Sequence, residues 1–461
     1  MRILTYTAPG MVLPHSLADV REALCELGHM VFVQDLLQIS QSSDTGHGLD
    51  VAIIDGIISS EPDCIVTINS AGLVPAYLAV MPERRKYVSW FYDDPLENFR
   101  AKQMDFSVIA HDYHIFCWDR AYLPALRELG FSRSTYMPFA TNPELHCPSR
   151  HGRFRYDVSF VGHFTQHRAD HIRELALADI VVDVFGDPAW VRVAHPNVRF
   201  HGPADHRRQV PEIYSESKIN LNITNAQLLT SLPVRVFDVL ACEGFLLTDY
   251  RRDVEELFTP GKELALYAGP TDLVRKVRHY LERPAERQRM ASAGLSRVRE
   301  RFTFRHQLSA ILQRVAKAAE IPPKSELPDG QALLALWLTG LSYLKFHRYA
   351  DAERQLLGGH ARAPNEPNLL LGLAVLANHR GRVSEAASWV ERLSRVDSGL
   401  ARFGSELVGA TRAGVRVQCW ERLYGALQNV SAQSDGTVAG WEPQLVRPES
   451  RASCLRGEPR A

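Results

Sequence analysis

SKINLNITNAQLLTSLPVRVFDVLACEGFLLTDYRRDVEEL, residues 217–257, is the stretch whose reading decides the fold. Lys218 to Ile223 is a half-alternating run that reads as a strand. Arg235 to Cys242 puts Val236, Val239 and Leu240 on one helical face, and the apolar residues from Gly244 to Thr248 read as a short buried strand. Strand, helix and strand in that order make a parallel α/β unit. Its polar residues gather where the strands end, which is where ligands bind in open parallel sheets.

The alternation extends in both directions. Downstream come a strand at Leu264 to Tyr267 and helices at Asp272 to Glu282 and Ala285 to Arg301. Upstream, a strand from Tyr156 to Val161 leads into Gly162-His-Phe-Thr-Gln-His-Arg168, followed by a helix from His171, strands at Ile180 to Phe185 and Asn197 to Gly202, and a helix from Arg208 to Ser217. The first 140 or so residues repeat the pattern. Their strands begin at Met1, Val31, Asp63, Lys86, His114 and Ser134, and their first helix runs from an N-cap at Ser16 to Gly28. Thr141 to Gly152 is polar and proline-bearing, the mark of a linker. The turn after the first strand is not GxGxxG, so a dinucleotide fingerprint is absent there.

After Glu320 the alternation ends and the pattern is helical. Arg348-Tyr-Ala-Asp-Ala352 and Arg382-Val-Ser-Glu-Ala386 lie 34 residues apart, the period of a tetratricopeptide repeat. Gly340, Tyr343, Ala352 and Pro364 suit the first repeat, while the second has Ala374 and Ala377 in place of glycine and tyrosine. Two such motifs make about two hairpins, which is short of independent stability and implies docking on the preceding domain. The expected organisation is α/β over residues 1–143 and 152–318, all-α repeats over 328–425, and a disordered polar tail over 429–461.

The balance of 53 basic and 53 acidic residues argues against an electrostatic affinity for nucleic acid or anionic membrane across the whole surface and leaves room for a local basic cleft. The seven cysteines are scattered, odd in number and without CxxC spacing, as expected of reduced thiols. No apolar run approaches 18 residues, so no transmembrane segment is expected, and Met1 opens directly as a strand. A cytoplasmic protein is the expectation.

Residues 234–249 and 253–258, followed by Pro260-Gly-Lys-Glu263, resemble the CgeB-like (spore maturation) group 1 glycosyltransferases, as do Asp157 to Gly162 and Trp90 to Pro95. The resemblance spans roughly Met1 to Gln313 and omits the repeats. It implies the GT-B architecture, two Rossmann-like domains facing across a cleft, with the second binding a nucleotide sugar. The implied activity is metal-independent transfer of a sugar from a nucleotide-diphosphate donor to a glycan, lipid or protein acceptor, in surface or spore-coat glycoconjugate synthesis, with no cofactor. Retention of stereochemistry is the weaker implication. The repeats suit a protein partner. Two alternatives stand beside it, a non-catalytic GT-B-like protein that recruits partners and an epimerase acting on the nucleotide sugar.

Leaving-group chemistry singles out the candidates. A departing diphosphate needs positive charge and backbone N–H donors. Gly162 lets backbone approach phosphate, the following helix offers its N-terminus, and Arg168 can pair with phosphate oxygens, with His163 and Arg173 beside it. A plain strand-helix turn with a solvated arginine is the alternative. Arg235 and Asp238 share a helical face, and the resemblance implies that Asp238 holds ribose hydroxyls while Arg235 faces phosphate or sugar; a surface ion pair is the other reading. The wider group carries a second glutamate eight positions before Asp238, where this chain has Thr230. Thr224, Asn225 and Thr248 end neighbouring strands, and Phe185 to Pro188 either flanks the base or forms a turn. Asp93 or Asp94 offers an acceptor-side general base, with Asn69 and Ser70 nearby, although Asp94 before Pro95 reads equally as a helix cap. His163, His167 and His171 lack a metal-site pattern, so no metal is expected.

Overall fold

A computed structural model describes residues 1–7, 14–36, 48–149, 153–225, 228–319 and 327–412. They fall into two compact units that divide between 319 and Leu327. The first contains two six-stranded parallel sheets.

The first sheet has the order β2-β1-β3-β4-β5-β6, formed by Arg2–Thr7 (β1), Met30–Asp35 (β2), Cys64–Ile68 (β3), Lys86–Phe91 (β4), Tyr113–Cys117 (β5) and Ser134–Tyr136 (β6). Its central strands are buried without alternation because helices cover both faces; all five residues of β5 are buried, His114 among them. β2 lies at the edge and keeps a partly exposed, uneven pattern. The first helix begins at Pro14, so Ser16 lies inside it and is not its N-cap. At its other end Gly28 takes φ +80°, and the Gly28 and His29 N–H groups close on Cys25 and Leu24 carbonyls, the left-handed stop expected of glycine.

The second sheet has the order β12-β11-β10-β7-β8-β9, from Tyr156–Val161 (β7), Val182–Phe185 (β8), Val198–Phe200 (β9), Ser217–Asn222 (β10), Leu246–Asp249 (β11) and Ala265–Tyr267 (β12). Its core packs Val158, Phe160, Val184, Ile219 and Leu247 with Trp190. Ser217, Asn220 and Asn222 of β10 are buried too, which its half-alternating sequence does not suggest. Asn220 is satisfied by donating to Tyr214 O at 2.9 Å and accepting from Ser159 Oγ at 3.2 Å. The chain order of the second sheet reverses between β7 and β10. In such sheets that reversal opens a crevice at the strands' C-terminal ends.

The sequence assigns residues 152–318 to the second α/β segment, yet the last helix of the unit, Phe304–Ala316, packs against helix Pro14–Glu26 under the first sheet. The crossing is pinned by Thr141, whose N–H donates to Phe302 O and whose carbonyl accepts from Phe304 N–H.

The second unit comprises helices Asp329–Lys345, Tyr349–Arg362, Pro367–His379, Val383–Ser394 and Ser398–Arg412. Its first and third interhelical turns repeat at a 34-residue spacing. His347 and Gly381 both adopt positive φ, and Arg348 N and Arg382 N donate to Tyr343 O and Ala377 O. Ala352 and Ala386 are fully buried, so a larger side chain at either would part the helices. Residues 413–425 of the expected repeat region and the tail expected over 429–461 lie outside the described residues. Among the described residues no helix is long and apolar enough to cross a membrane.

Candidate functional site

The crevice between β7 and β10 collects two arginines around one aromatic ring. Arg168, in the first turn of helix Gln166–Leu177, and Arg235, in the first turn of helix Val234–Ala241, place their guanidinium carbons 5.6 and 5.0 Å from the centroid of Phe160. The ring's negative face partly offsets two neighbouring positive charges. Burial, and then the charge of Arg235, push the Arg168 pKa down to about 9, so it stays protonated near neutrality. Asp249 brings one negative charge to the same edge, where Arg251 Nη2 meets its carboxylate at 3.1 Å. Three guanidinium groups against the carboxylates of Asp249 and Asp187 leave the crevice cationic.

The two arginines do different work. Arg168 is buried and spends its donors on backbone, Nε to Ile223 O at 2.9 Å and Nη1 to His163 O at 3.0 Å. That ties the end of β10 to the turn after β7 and leaves neither edge of the guanidinium fork wholly open for the phosphate pairing expected of it. Arg235 is half-buried and is aimed by Asn222, whose Oδ1 accepts from Nη1 at 2.7 Å. Gly162 has a packing role besides the phosphate approach expected of it. A Cβ there would stand 2.4 Å from Arg235 Nη2, so the glycine makes room for the guanidinium.

Around them the turn is held from within. Thr165 caps the helix through Arg168 N–H, and Phe164 N–H donates to Asp187 Oδ2 at 2.6 Å. Asp187 also caps the short helix Pro188–Arg192, which settles Phe185 to Pro188 as a turn that braces the site. His163 projects into solvent, 3.5 Å from Asp187. Thr224 and Thr248 are buried at the strand ends: Thr224 donates to Asp249 Oδ1 at 2.7 Å, and Thr248 Oγ1 accepts from Asn222 Nδ2 at 2.9 Å. Asn225 follows, half-buried, with its carbonyl taken by Leu228 N–H.

Two candidates are not brought to this crevice. Arg173 lies on the outer surface of its helix, paired with Asp170 at 3.1 Å. Asp238 is buried and forms no ion pair with Arg235 among the described contacts. Its Oδ1 accepts from Thr141 Oγ1 at 2.7 Å and lies 3.3 Å from His146 Nδ1. Burial raises its pKa to about 6 against the lowering effects of His206, Thr141 and Arg235. The expected ribose contact is therefore occupied by residues of the linker.

In the first sheet the paired aspartates part company. Asp94 caps helix Pro95–Lys102 by accepting from Leu96 N at 2.8 Å and Glu97 N at 3.1 Å, and takes Tyr122 OH on its other oxygen, so the structure corrects the general-base reading for this residue. Asp93 is half-buried at the end of β4 and accepts from Asn69 Nδ2 at 2.9 Å. Burial raises its pKa, opposed by the Asn69 bond and reinforced by Glu97 and Asp94. Asn69 and Ser70 adopt positive φ, and the carbonyls of both are bonded by Lys102 Nζ, so this turn is a fixed element.

Sequence reasoning missed Asn222, Arg251 and Asp119. The first two sit at strand ends already marked as polar, a signal that was available. Asp119 gives none: it is buried at the end of β5, and its carboxylate accepts the N–H groups of Leu229, Thr230 and Ser231 at 2.7, 2.9 and 3.3 Å together with Thr230 Oγ1 at 2.7 Å. Thr230, where the wider group has a glutamate, is thereby bound to the first sheet.

Comparison with known proteins bears on the family and the fold. Residues 164–313 match the family described as "Glycosyl transferase-like", and this segment contains Arg168, Asn222 and Arg235. Spore protein CgeB of Bacillus subtilis (strain 168) is 25% identical over 204 residues, 39% of this chain and 60% of that protein, so the match spans about three-fifths of this relative's length. The resemblance to the CgeB-like group 1 glycosyltransferases is thus supported by both. Among solved structures, sucrose-phosphate synthase from Thermosynechococcus elongatus covers 69% of this chain and 100% of its own, with 13% identity and a TM-score of 0.54. A glycosyltransferase from Rickettsia africae ESF-5 covers 69% and 99%, with 12% identity and a TM-score of 0.52. These likenesses establish the fold, the GT-B plan of two Rossmann-like parallel-sheet domains.

Proposed function

We propose that this protein is a glycosyltransferase that moves a sugar from a nucleotide-diphosphate donor to a glycan, lipid or protein acceptor. The observation that carries the reading is the placement of Arg168 and Arg235 around Phe160 where the strand order of the second sheet reverses. Two like charges held together in a partly buried crevice favour an anion between or beside them, and a departing diphosphate is such an anion. Arg235 faces the leaving oxygens, Arg168 fixes the turn that frames them, and charge neutralisation by guanidinium makes the transfer metal-independent. Asp93 is the remaining acceptor-side base. The match to a spore protein supports a place in surface or spore-coat glycoconjugate synthesis. The 34-residue recurrence of the second unit supports a tetratricopeptide-like class that recruits a protein partner, and the whole is read as cytoplasmic.

A non-catalytic, nucleotide-sugar-binding role is the second reading, favoured by one observation: Asp94, Asp238 and Thr230 are all engaged internally. Incubation with a panel of nucleotide sugars separates the two. Diphosphate release that falls about a hundredfold in Arg235→Ala supports the enzyme; nucleotide-dependent thermal stabilisation without release supports the binder; neither response overturns both.

A further inference from the structure

Three segments distant in the chain bring nitrogen and oxygen ligands to one point. His146 lies in the linker after Thr141, His206 in the loop before helix Gln209–Ser215, and Asp238 in helix Val234–Ala241, and one ligand atom from each lies within 4.8 Å of the others. We propose that His146, His206 and Asp238 form a transition-metal site, suited to zinc, that ties the linker to the second sheet's helices.

The geometry favours coordination. Zinc bonds of about 2.0–2.2 Å at tetrahedral angles place neighbouring ligand atoms roughly 3.3–3.6 Å apart. His146 Nδ1 and Asp238 Oδ1 stand at 3.3 Å. The third ligand, His206, is half-buried in a loop, its ring 5.2 Å from that of His146 and steeply inclined to it, with its ligand atom inside the same 4.8 Å cluster. Thr141 already donates to the Asp238 oxygen, the outer hydrogen bond that orients a ligating carboxylate. Two imidazoles and one carboxylate select zinc or a neighbouring transition metal over magnesium or calcium, which take oxygen. His146 and Asp238 are buried, and His206 supplies the route of entry.

The site is separate in role from the arginine crevice. It holds Asp238 toward the linker, and the proposal does not depend on the transfer reaction.

The test is zinc titration of the metal-stripped full chain against a chromophoric chelator, with cobalt as a spectroscopic probe. One equivalent should bind with micromolar affinity or better, raise the melting temperature, and give the visible cobalt absorption of a four-coordinate nitrogen–oxygen site whose fourth ligand is water. His206→Ala, in a loop and half-exposed, should weaken binding at least tenfold while its circular dichroism matches the parent; Asp238→Asn serves as the second variant. A double His167→Ala, His171→Ala variant reports on the other close histidine pair. Absence of binding, binding unchanged in His206→Ala, or binding lost only in the double variant would each overturn the assignment.

Discussion

The guanidinium of Arg235 occupies the space that a side chain on residue 162 would fill: a Cβ on Gly162 would meet Arg235 Nη2 at 2.4 Å and Phe160 Cζ at 3.2 Å. The two residues are 73 positions apart, on the turn after β7 and on the helix after β10, and their contact defines the crevice.

Gly162→Ala should act through Arg235. The far end of a flexible side chain can move, so the fold should survive with a loss of about 1 kcal/mol. Displaced from Asn222, the guanidinium should bind a nucleoside diphosphate about tenfold more weakly by calorimetry. Arg235→Ala should weaken it at least as much, and the double variant should be no worse than Arg235→Ala alone. Additive losses in that cycle would show that Gly162 serves the ligand directly.

Asp119 closes the loop after β10 onto the first sheet. Replacing it by alanine strips acceptors from four N–H groups, that of Ala121 included, and a hydroxyl, and should cost about 2–4 kcal/mol in urea unfolding. Asp119→Asn, which keeps an acceptor oxygen, should lose about half as much. Limited proteolysis should then cut near residues 228–231 in the alanine variant first.

Such cross-chain contacts mark where the sequence stopped being legible. The two sheets follow from local pattern, because strand–helix alternation and buried apolar runs are properties of ten-residue windows. The crevice followed from the same pattern, since strand ends could be counted. Nothing local shows that the Asp119 carboxylate meets a loop 110 residues later, or that Asp238 turns to Thr141. Asp94 before Pro95 is compatible with a cap and with a base, and only the bonds to Leu96 and Glu97 N–H separate them.

Asp19 should leave a signature in pH dependence. Burial, with added repulsion from Asp238 and Glu22, raises its pKa from 3.8 to about 6 against the lowering effects of Asn142 and Arg207. The folded state holds this proton more tightly than the unfolded chain. Its stabilising contribution is complete below about pH 4 and declines as pH rises to about 6. Asp19→Asn does not titrate and still accepts from Asn142. The stability of the variant minus that of the parent should therefore rise across this window by on the order of 2–3 kcal/mol. A flat difference would mean that the carboxyl titrates at its ordinary value.

Asp93 and Asp94 test the acceptor side, because adjacent carboxylates have separate jobs. Asp94→Ala removes a cap and should cost about 1 kcal/mol of stability, with the rate of sugar transfer falling only severalfold. Asp93→Asn keeps the Asn69 contact through its remaining oxygen and should fold normally, yet it removes the only member of the pair whose carboxylate is not committed to backbone donors. If Asp93 accepts the acceptor's proton, kcat should fall about 100-fold or more with little change in donor KM, and the acid limb of the kcat profile should disappear. An Asp93→Asn variant with unchanged kcat would remove the general base from the first sheet and leave that domain a purely binding surface for the acceptor.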